Sequence, residues 1–508
     1  MTTHRAGRRR FLSAALIGLA AKAEHTVAGG FVDSTHAIGH RLRDGGAFPA
    51  PKRTERVPVV IAGGGIAGLS AAWRLSKRGF RDFILLEMER EAGGNSRGGK
   101  NEVSAYPWAA HYLPLPDRRS TLVRELMTEI GLLRDGEWEE RHLCHAPQER
   151  LFIHGRWQEG IEPELGAAKK DREQMRLFHE RMAAHAASGE FRIPMETGAR
   201  GRVDLDRISF DDWLRSEGFD SSYVRWLADY SCRDDYGARS GAVSAWAGIH
   251  YFASRHGPER DEERGPLTWP EGNGFIVARL LERVGDRVRT DAFVHRVEAA
   301  GTKYRVLAGD VEYRADAVIF ALPSFLASRL CGPAAPPWKG EYSPWFTANL
   351  TLDRPPAGKG FAPAWDNVLF RSSSLGYVDA THQSLQLHRD RRVWTYYYAL
   401  AEHSPAEARR LLLARTWEST KEAILADLEQ AHPDIRQCVS RIDIMRMGHA
   451  MIRPSVGFIS SPERAAASRA HGGIVYANSD LSGLSLFEEA QYRGVHAADR
   501  ILRRLGRA

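Results

Sequence analysis

Three glycines, Gly63, Gly65 and Gly68, follow the apolar run Val59-Val60-Ile61-Ala62, and an acid, Glu87, stands 24 residues after the first of them. The chemistry such a pattern serves is the holding of a dinucleotide. Gly63 permits a tight turn, Gly65 lets the backbone approach a pyrophosphate, and Gly68 allows a helix to pack closely on the strand. Ile66 and Ala67 open that helix, whose unpaired N–H groups and dipole attract phosphate without any basic side chain. Glu87 is placed where a carboxylate accepts hydrogen bonds from a ribose diol.

A second glycine pair narrows the ligand. Glu91-Ala92-Gly93-Gly94-Asn95-Ser96-Arg97 continues straight out of the second strand. A flavin nucleotide is longer than a nicotinamide nucleotide needs the site to be, and another close backbone approach beside an arginine suits its ribityl diphosphate. Read alone, the same string also serves as a plain Gly-Gly turn.

The elements that must position these residues are legible around them. Val59 to Ala62 reads as a buried strand, Leu69, Ala72 and Leu75 recur at helical spacing up to Gly79, and Phe83 to Leu86 reads as the next strand. Three later stretches read as returning pieces of the same lobe. They are Trp269-Pro270-Glu271-Gly272-Asn273-Gly274-Phe275 with a helix and a strand near Phe293 to Val297, the buried strand Ala315 to Leu322 ended by Pro323, and Ile474 to Ala477 followed by Asp480, Gly483 and a final helix.

The first residues speak of address. Arg8-Arg9-Arg10-Phe11-Leu12 precedes an apolar stretch of 11 residues, Phe11 to Ala21, and Ala21-Lys22-Ala23 offers a small-residue cleavage site. This reads as a twin-arginine export signal over 1–23, which implies the twin-arginine translocase as a partner and a periplasmic or secreted destination. The stretch is too short to cross a bilayer, and no run of about 18 apolar residues occurs elsewhere, so no stable membrane span is expected. Five basic residues and no acids fall in 1–23, leaving a formal charge of +2 from the +7 of the whole chain. No basic stripe interleaved with aromatics remains to argue for nucleic acid. The four cysteines, Cys144, Cys232, Cys331 and Cys438, form no CxxC and leave a disulfide undecided, and no metal site is assigned.

Four separated motifs in this order resemble the flavin-containing amine oxidase and phytoene desaturase superfamily of FAD-dependent oxidoreductases. The resemblance implies an α/β fold: a Rossmann-like, glutathione-reductase-like FAD-binding domain with an inserted α+β substrate domain. By the same resemblance Gly63, Gly65 and Gly68 hold the diphosphate, Glu87 the adenosine ribose, Gly93, Gly94, Asn95 and Arg97 the flavin side, and Val294 the adenine through its backbone. Asp480 matches the acid that contacts the ribityl or diphosphate portion, with helix capping as a compatible role. The last helix, from about Leu486, then aims its positive end at the flavin, where negative charge collects on reduction. The expected division is a tether at 24–56, the FAD-binding domain at 57–115, 269–330 and 441–508, and the substrate domain at 116–268 and 331–440.

Several side chains are candidates to meet a small-molecule substrate. His111, in Trp108-Ala109-Ala110-His111-Tyr112, falls where family members place a loop beside the flavin; an ordinary core or surface histidine is the alternative. Trp394, Tyr396 and Tyr398 share one face of a strand and Thr395 and Tyr397 the other, so Tyr396 and Tyr398 either line the pocket or pack in the core. His449 is a candidate base near the flavin edge or a packing residue. Arg233-Asp234-Asp235-Tyr236 would suit a cationic amine, but an exposed helix end explains it better. Many amine oxidases of the family carry a lysine in the stretch aligned with Pro344 to Leu350, and here no lysine occurs between Lys339 and Lys359. A dehydrogenase passing electrons to a quinone or carrier protein therefore stands beside an oxidase using oxygen. The leading expectation is oxidation of a C–N bond, as in a polyamine, by hydride transfer to flavin N5. A desaturase- or isomerase-like enzyme on an apolar isoprenoid and a flavin electron-transfer protein are the alternatives.

Overall fold

The computed structural model describes residues 26–32, 36–199, 203–255, 265–384, 390–469 and 472–507. The export signal read at 1–23 lies outside the described residues. Two sheets organise the rest. The first has five parallel strands in the order Val288–Arg289, Phe83–Leu86, Val59–Ala62, Ala317–Phe320, Ile474–Tyr476. Its three central strands are buried at every residue, as a parallel sheet covered on both faces requires. One face carries the helices Ile66–Lys77, Gly274–Val284 and Phe487–Arg504, joined in a single apolar core. The other packs on a four-stranded sheet built from Val294–Ala300, Lys303–Ala308, Val311–Ala315 and Arg53–Arg56.

The second large sheet has eight strands in the order Ala28–Phe31, Val439–Arg453, Glu341–Leu352, Arg392–Ala399, Tyr377–Asp379, Asp366–Leu369, Glu149–Ile153, Arg156–Glu159. Its two faces have separate cores. One meets the helices Pro405–Ala414 and Trp417–Glu429 through Phe346, Trp394 and Tyr396. The other, with Trp345, Val378 and Tyr397, turns toward the helix Ser222–Tyr236 and the cofactor lobe. The helices between Lys169 and Ala253 form a further core of their own.

Two expected boundaries are corrected. The segment 24–56 is no free tether, because Ala28–Phe31 pairs in parallel with Arg441 to Ile444, Val32 N donates to Ile444 O at 2.7 Å, and Arg53–Arg56 joins the four-stranded sheet. The strand Val439–Arg453 belongs to the eight-stranded sheet, so the chain returns to the cofactor lobe after 453 and not at 441. Val27 is buried in the sheet's core, and losing it with its strand removes roughly 2 kcal/mol. A chain beginning after residue 32 should accordingly melt a few degrees below one beginning at residue 26, and identical thermal midpoints would make the strand an ornament.

Among the described residues no helix is long and apolar enough to cross a membrane, no group of side chains could hold a metal ion, and all four cysteines are buried and free.

Candidate active site

The dinucleotide cradle is built as a pair of glycine loops. Gly63 N donates to Leu86 O at 2.9 Å and Gly93 N to Gly64 O at 2.8 Å, so the two loops lie against each other at the carboxyl ends of adjacent strands. A Cβ on Gly68 would stand 1.9 Å from Gly63 O, which is why the helix can begin so close to the strand it leaves. At Gly65 the same atom would meet nothing within 4 Å. Ile66 and Ala67 form the buried first turn of the Ile66–Lys77 helix, which Gly65 begins without any side-chain cap, leaving its first amides for an anion. Open space beside Gly65, facing a bare helix start and flanked by Gly93 and Gly94, fits the diphosphate of a flavin dinucleotide.

The charged residues around the cradle are fixed by backbone. Glu87 accepts Gly64 N at 2.8 Å and Glu89 N at 2.9 Å, so the acid expected at the ribose also pins the first loop, while burial raises its pKa. Asn95 Nδ2 donates to Ala450 O at 2.6 Å and ties the second loop to the roof sheet. Arg97 Nε donates to Gly94 O at 3.1 Å, and the guanidinium lies against Met445. Val294 is buried at the start of its strand. Asp480, buried, accepts Ser324 N at 2.8 Å and the Tyr342 hydroxyl, and desolvation raises its pKa. Leu486 is the residue before the Phe487–Arg504 helix, which has no side-chain cap and whose start lines a cavity under the eight-stranded sheet.

That cavity offers about 150 Å³ to the centre of a water-sized sphere. Its walls come from Asn95 of the second glycine loop, the stretch Ala109 to Pro114, Asp234, Asp235 and Arg255, Asn273, Trp345 and Tyr397 of the roof, Met447 and Met451, and Ser485 to Glu488. His111 packs its ring on Tyr397 at 4.7 Å and on Tyr112 at 4.9 Å, with Nδ1 at 3.3 Å from Ala109 O. Burial pulls its pKa down to about 4, so at neutral pH it offers a neutral imidazole. Tyr397 donates its hydroxyl to Ala109 O at 2.9 Å and holds that loop to the roof.

Three sequence candidates stand elsewhere. Tyr396 donates to Asp427 Oδ2 at 2.9 Å and Tyr398 stacks on Phe346 at 5.0 Å, both on the sheet face that meets the helices Pro405–Ala414 and Trp417–Glu429. Of the two alternatives for Tyr396 and Tyr398 the structure shows core packing, and the opposite face of the strand puts Tyr397 at the cavity. His449 is exposed, stacks on Phe325 at 4.4 Å, and does not line the cavity.

The preferred reading of Arg233-Asp234-Asp235 is also corrected. The Ser222–Tyr236 helix ends at Gly237, which takes a left-handed conformation, and its last turn runs into the roof sheet instead of solvent. Asp235 receives Arg255 Nη2 at 2.7 Å. Asp234 has no such partner among the described residues; burial and the neighbouring Asp235 push its carboxyl up to about 7. Glu149 and Asp366, opposite one another on paired strands, are raised by burial as well. Arg255 and Arg233 are thus the cations that act on Asp234, within a group of buried acids that desolvation holds toward their protonated forms.

Where the family's lysine would fall, the roof strand presents Trp345, Thr347 and Asn349, the last two bonded to Trp108 O at 2.6 Å and Pro107 O at 3.2 Å. Sequence reasoning gave no role to Arg255, Asn273, Glu488 or Trp345. Asn273 and Trp345 each had a signal, the first inside the stretch from Trp269 to Phe275 and the second inside Pro344 to Leu350.

Comparisons with known proteins agree with this geometry. The family model described as flavin containing amine oxidoreductase matches residues 66–502. A Mycobacterium tuberculosis protein described as a flavin-containing monoamine oxidase, AofH, is 27% identical over 296 residues, 56% of this chain and 61% of that protein. The match thus spans about three fifths of that curated relative. Among solved structures, putrescine oxidase bound to putrescine superposes with a TM-score of 0.67 at 18% identity, covering 89% of this chain and 100% of the other. Cyclohexylamine oxidase from Brevibacterium oxydans gives 0.67 at 16%, covering 89% and 99%.

Proposed function

From the premise that the chain belongs to the flavin containing amine oxidoreductase family, matched over most of its length, we propose that it oxidises the C–N bond of a cationic amine, a polyamine included. The observation that carries this reading is the Asp234 carboxyl, without an ion-pair partner among the described residues, in a cavity that also presents Trp345, Tyr397, Met447 and Met451. FAD is the cofactor, and when bound it takes the two electrons of the oxidation. The chain's own residues do the rest. Asp234 draws an ammonium into the cavity, the Asp235–Arg255 pair keeps a second charge fixed beside it, and Tyr397 and His111 form a close apolar wall for the carbon chain. His111, neutral at working pH, adds no positive charge to repel the substrate.

The absence of a lysine between Lys339 and Lys359 supports delivery of electrons to a quinone or carrier protein over rapid use of oxygen. Arg8-Arg9-Arg10-Phe11-Leu12 supports export of the folded holoenzyme by the twin-arginine translocase to the periplasm or beyond.

The test is an anaerobic titration of the purified holoenzyme with a panel of amines, followed by admission of oxygen or a quinone. Amines should bleach the flavin, with slow recovery in oxygen and fast recovery with quinone. Indifference to every amine, or bleaching only by an apolar isoprenoid, would overturn the reading.

A further inference from the structure

Asn273 occupies the residue before the Gly274–Val284 helix, where an asparagine side chain ordinarily accepts a hydrogen bond from the first free amides. Here it does not. Its backbone is helical, with φ −64° and ψ −4°, instead of extended, and no cap bond forms. The residue is 1% exposed, and its Oδ1 has no hydrogen-bond partner among the described residues. Its N–H donates to Ala110 O at 3.0 Å, which fixes it next to the His111 loop. It lines the same cavity as Asp234 and Tyr397. A buried carboxamide oxygen left without a donor is costly, and so rare that each case calls for a cause. An aliphatic residue would fill the same place at no such cost.

We propose that Asn273 Oδ1 accepts an N–H from the substrate's ammonium and thereby determines specificity. This rests on the reading of the cavity as an amine site. Asp234 and Asn273 then each take one N–H, so the substrate must carry at least two. A primary ammonium has three donors and satisfies both groups with one to spare. A protonated tertiary amine has one, and leaves either the carboxylate or the carboxamide unmet. The site therefore selects primary and secondary amines over their dialkylated counterparts. The flavin also carries an N–H, and it is the competing source of the missing donor.

The experiment uses the FAD-loaded enzyme with its flavin chemically reduced beforehand, and titrates tert-butylamine and its N,N-dimethyl derivative without oxygen, so that the N-methyl hydrogens of the derivative are not oxidised. The unaltered enzyme should bind the primary ammonium about tenfold or more tightly than the tertiary one. Asn273→Ala and Asn273→Leu should each weaken tert-butylamine about tenfold, erase the preference, and leave the dissociation constant for FAD unchanged. A rise in the FAD constant with amine binding intact would assign the oxygen to the flavin and overturn the proposal. So would variants that bind amine and FAD as before. Should neither variant fold, the unaltered enzyme decides, since equal affinity for the two amines is incompatible with the two-acceptor arrangement. Amine binding that ignores Asn273 sinks this inference alone, whereas binding of no amine sinks the parent reading with it.

Discussion

Replacing Gly65 with valine should give a folded but colourless protein. The backbone at Gly65 has φ −73° and ψ −176°, which valine adopts without strain, and a Cβ there would meet no heavy atom within 4 Å. The folded chain therefore tolerates the side chain. Its two methyl groups, however, enter the space between the Gly63–Gly65 and Gly93–Gly94 loops, against the bare start of the Ile66–Lys77 helix. A dinucleotide must bring its diphosphate to that place. We expect circular dichroism close to that of the apoprotein, no flavin absorbance after purification, and FAD affinity reduced at least about 100-fold, some 2.7 kcal/mol. Gly68→Val makes the contrasting case, because its Cβ would lie 1.9 Å from Gly63 O and the protein itself should fail to fold. A yellow Gly65→Val protein would refute the placement of the cofactor.

The second large effect concerns charge. Asp234→Asn should weaken binding of a primary ammonium about 100-fold, because it removes a cavity carboxylate that has no ion-pair partner among the described residues. The wild-type carboxyl is pushed up toward 7 by burial and Asp235, opposed by Arg255 and Arg233, with Glu149 adding to the rise. Amine affinity should climb as pH rises through 7, hold while the ligand stays protonated, and fall again near pH 10 as the ammonium loses its proton. The acid limb disappears in the variant. Stability without ligand runs the other way. The folded pKa lies above the unfolded value near 3.9, so the folded state holds its proton longer and the contribution of Asp234 is greatest below that value and is lost as pH rises toward 7. Thermal midpoints of wild type and Asp234→Asn, measured from pH 4 to 8, should diverge in that direction, with saturating amine closing the gap. A flat pH profile for amine binding would remove Asp234 from the site.

The cofactor lobe is legible in sequence because its key contacts are local. Gly63, Gly65, Gly68, Glu87, Gly93 and Gly94 meet within one strand, helix and strand unit, and each is a residue type that the backbone geometry demands. The substrate side is illegible for the opposite reason. The period of two in Arg392–Ala399 separates Tyr396 from Tyr397, but which face is the cavity depends on helices that arrive only after residue 404 to cover the other one. Asp234 looks like a solvated helix end until the strand Glu341–Leu352 is laid across it. Likewise Ala28–Phe31, with two glycines and no alternation, becomes a strand only because Val439–Arg453 offers its edge.

The approach of the Ile66–Lys77 and Phe487–Arg504 helices sets an order of events. Gly494 lies so close to the Ile66–Lys77 helix that a Cβ would come within 2.1 Å of Ala67 O, and Arg74 is bound to Asp499. The helix that begins at the glycine cradle is thus braced by the Phe487–Arg504 helix. A chain made only as far as the glycines has the cradle but lacks its brace, so FAD capture waits until the Phe487–Arg504 helix has been made and docked.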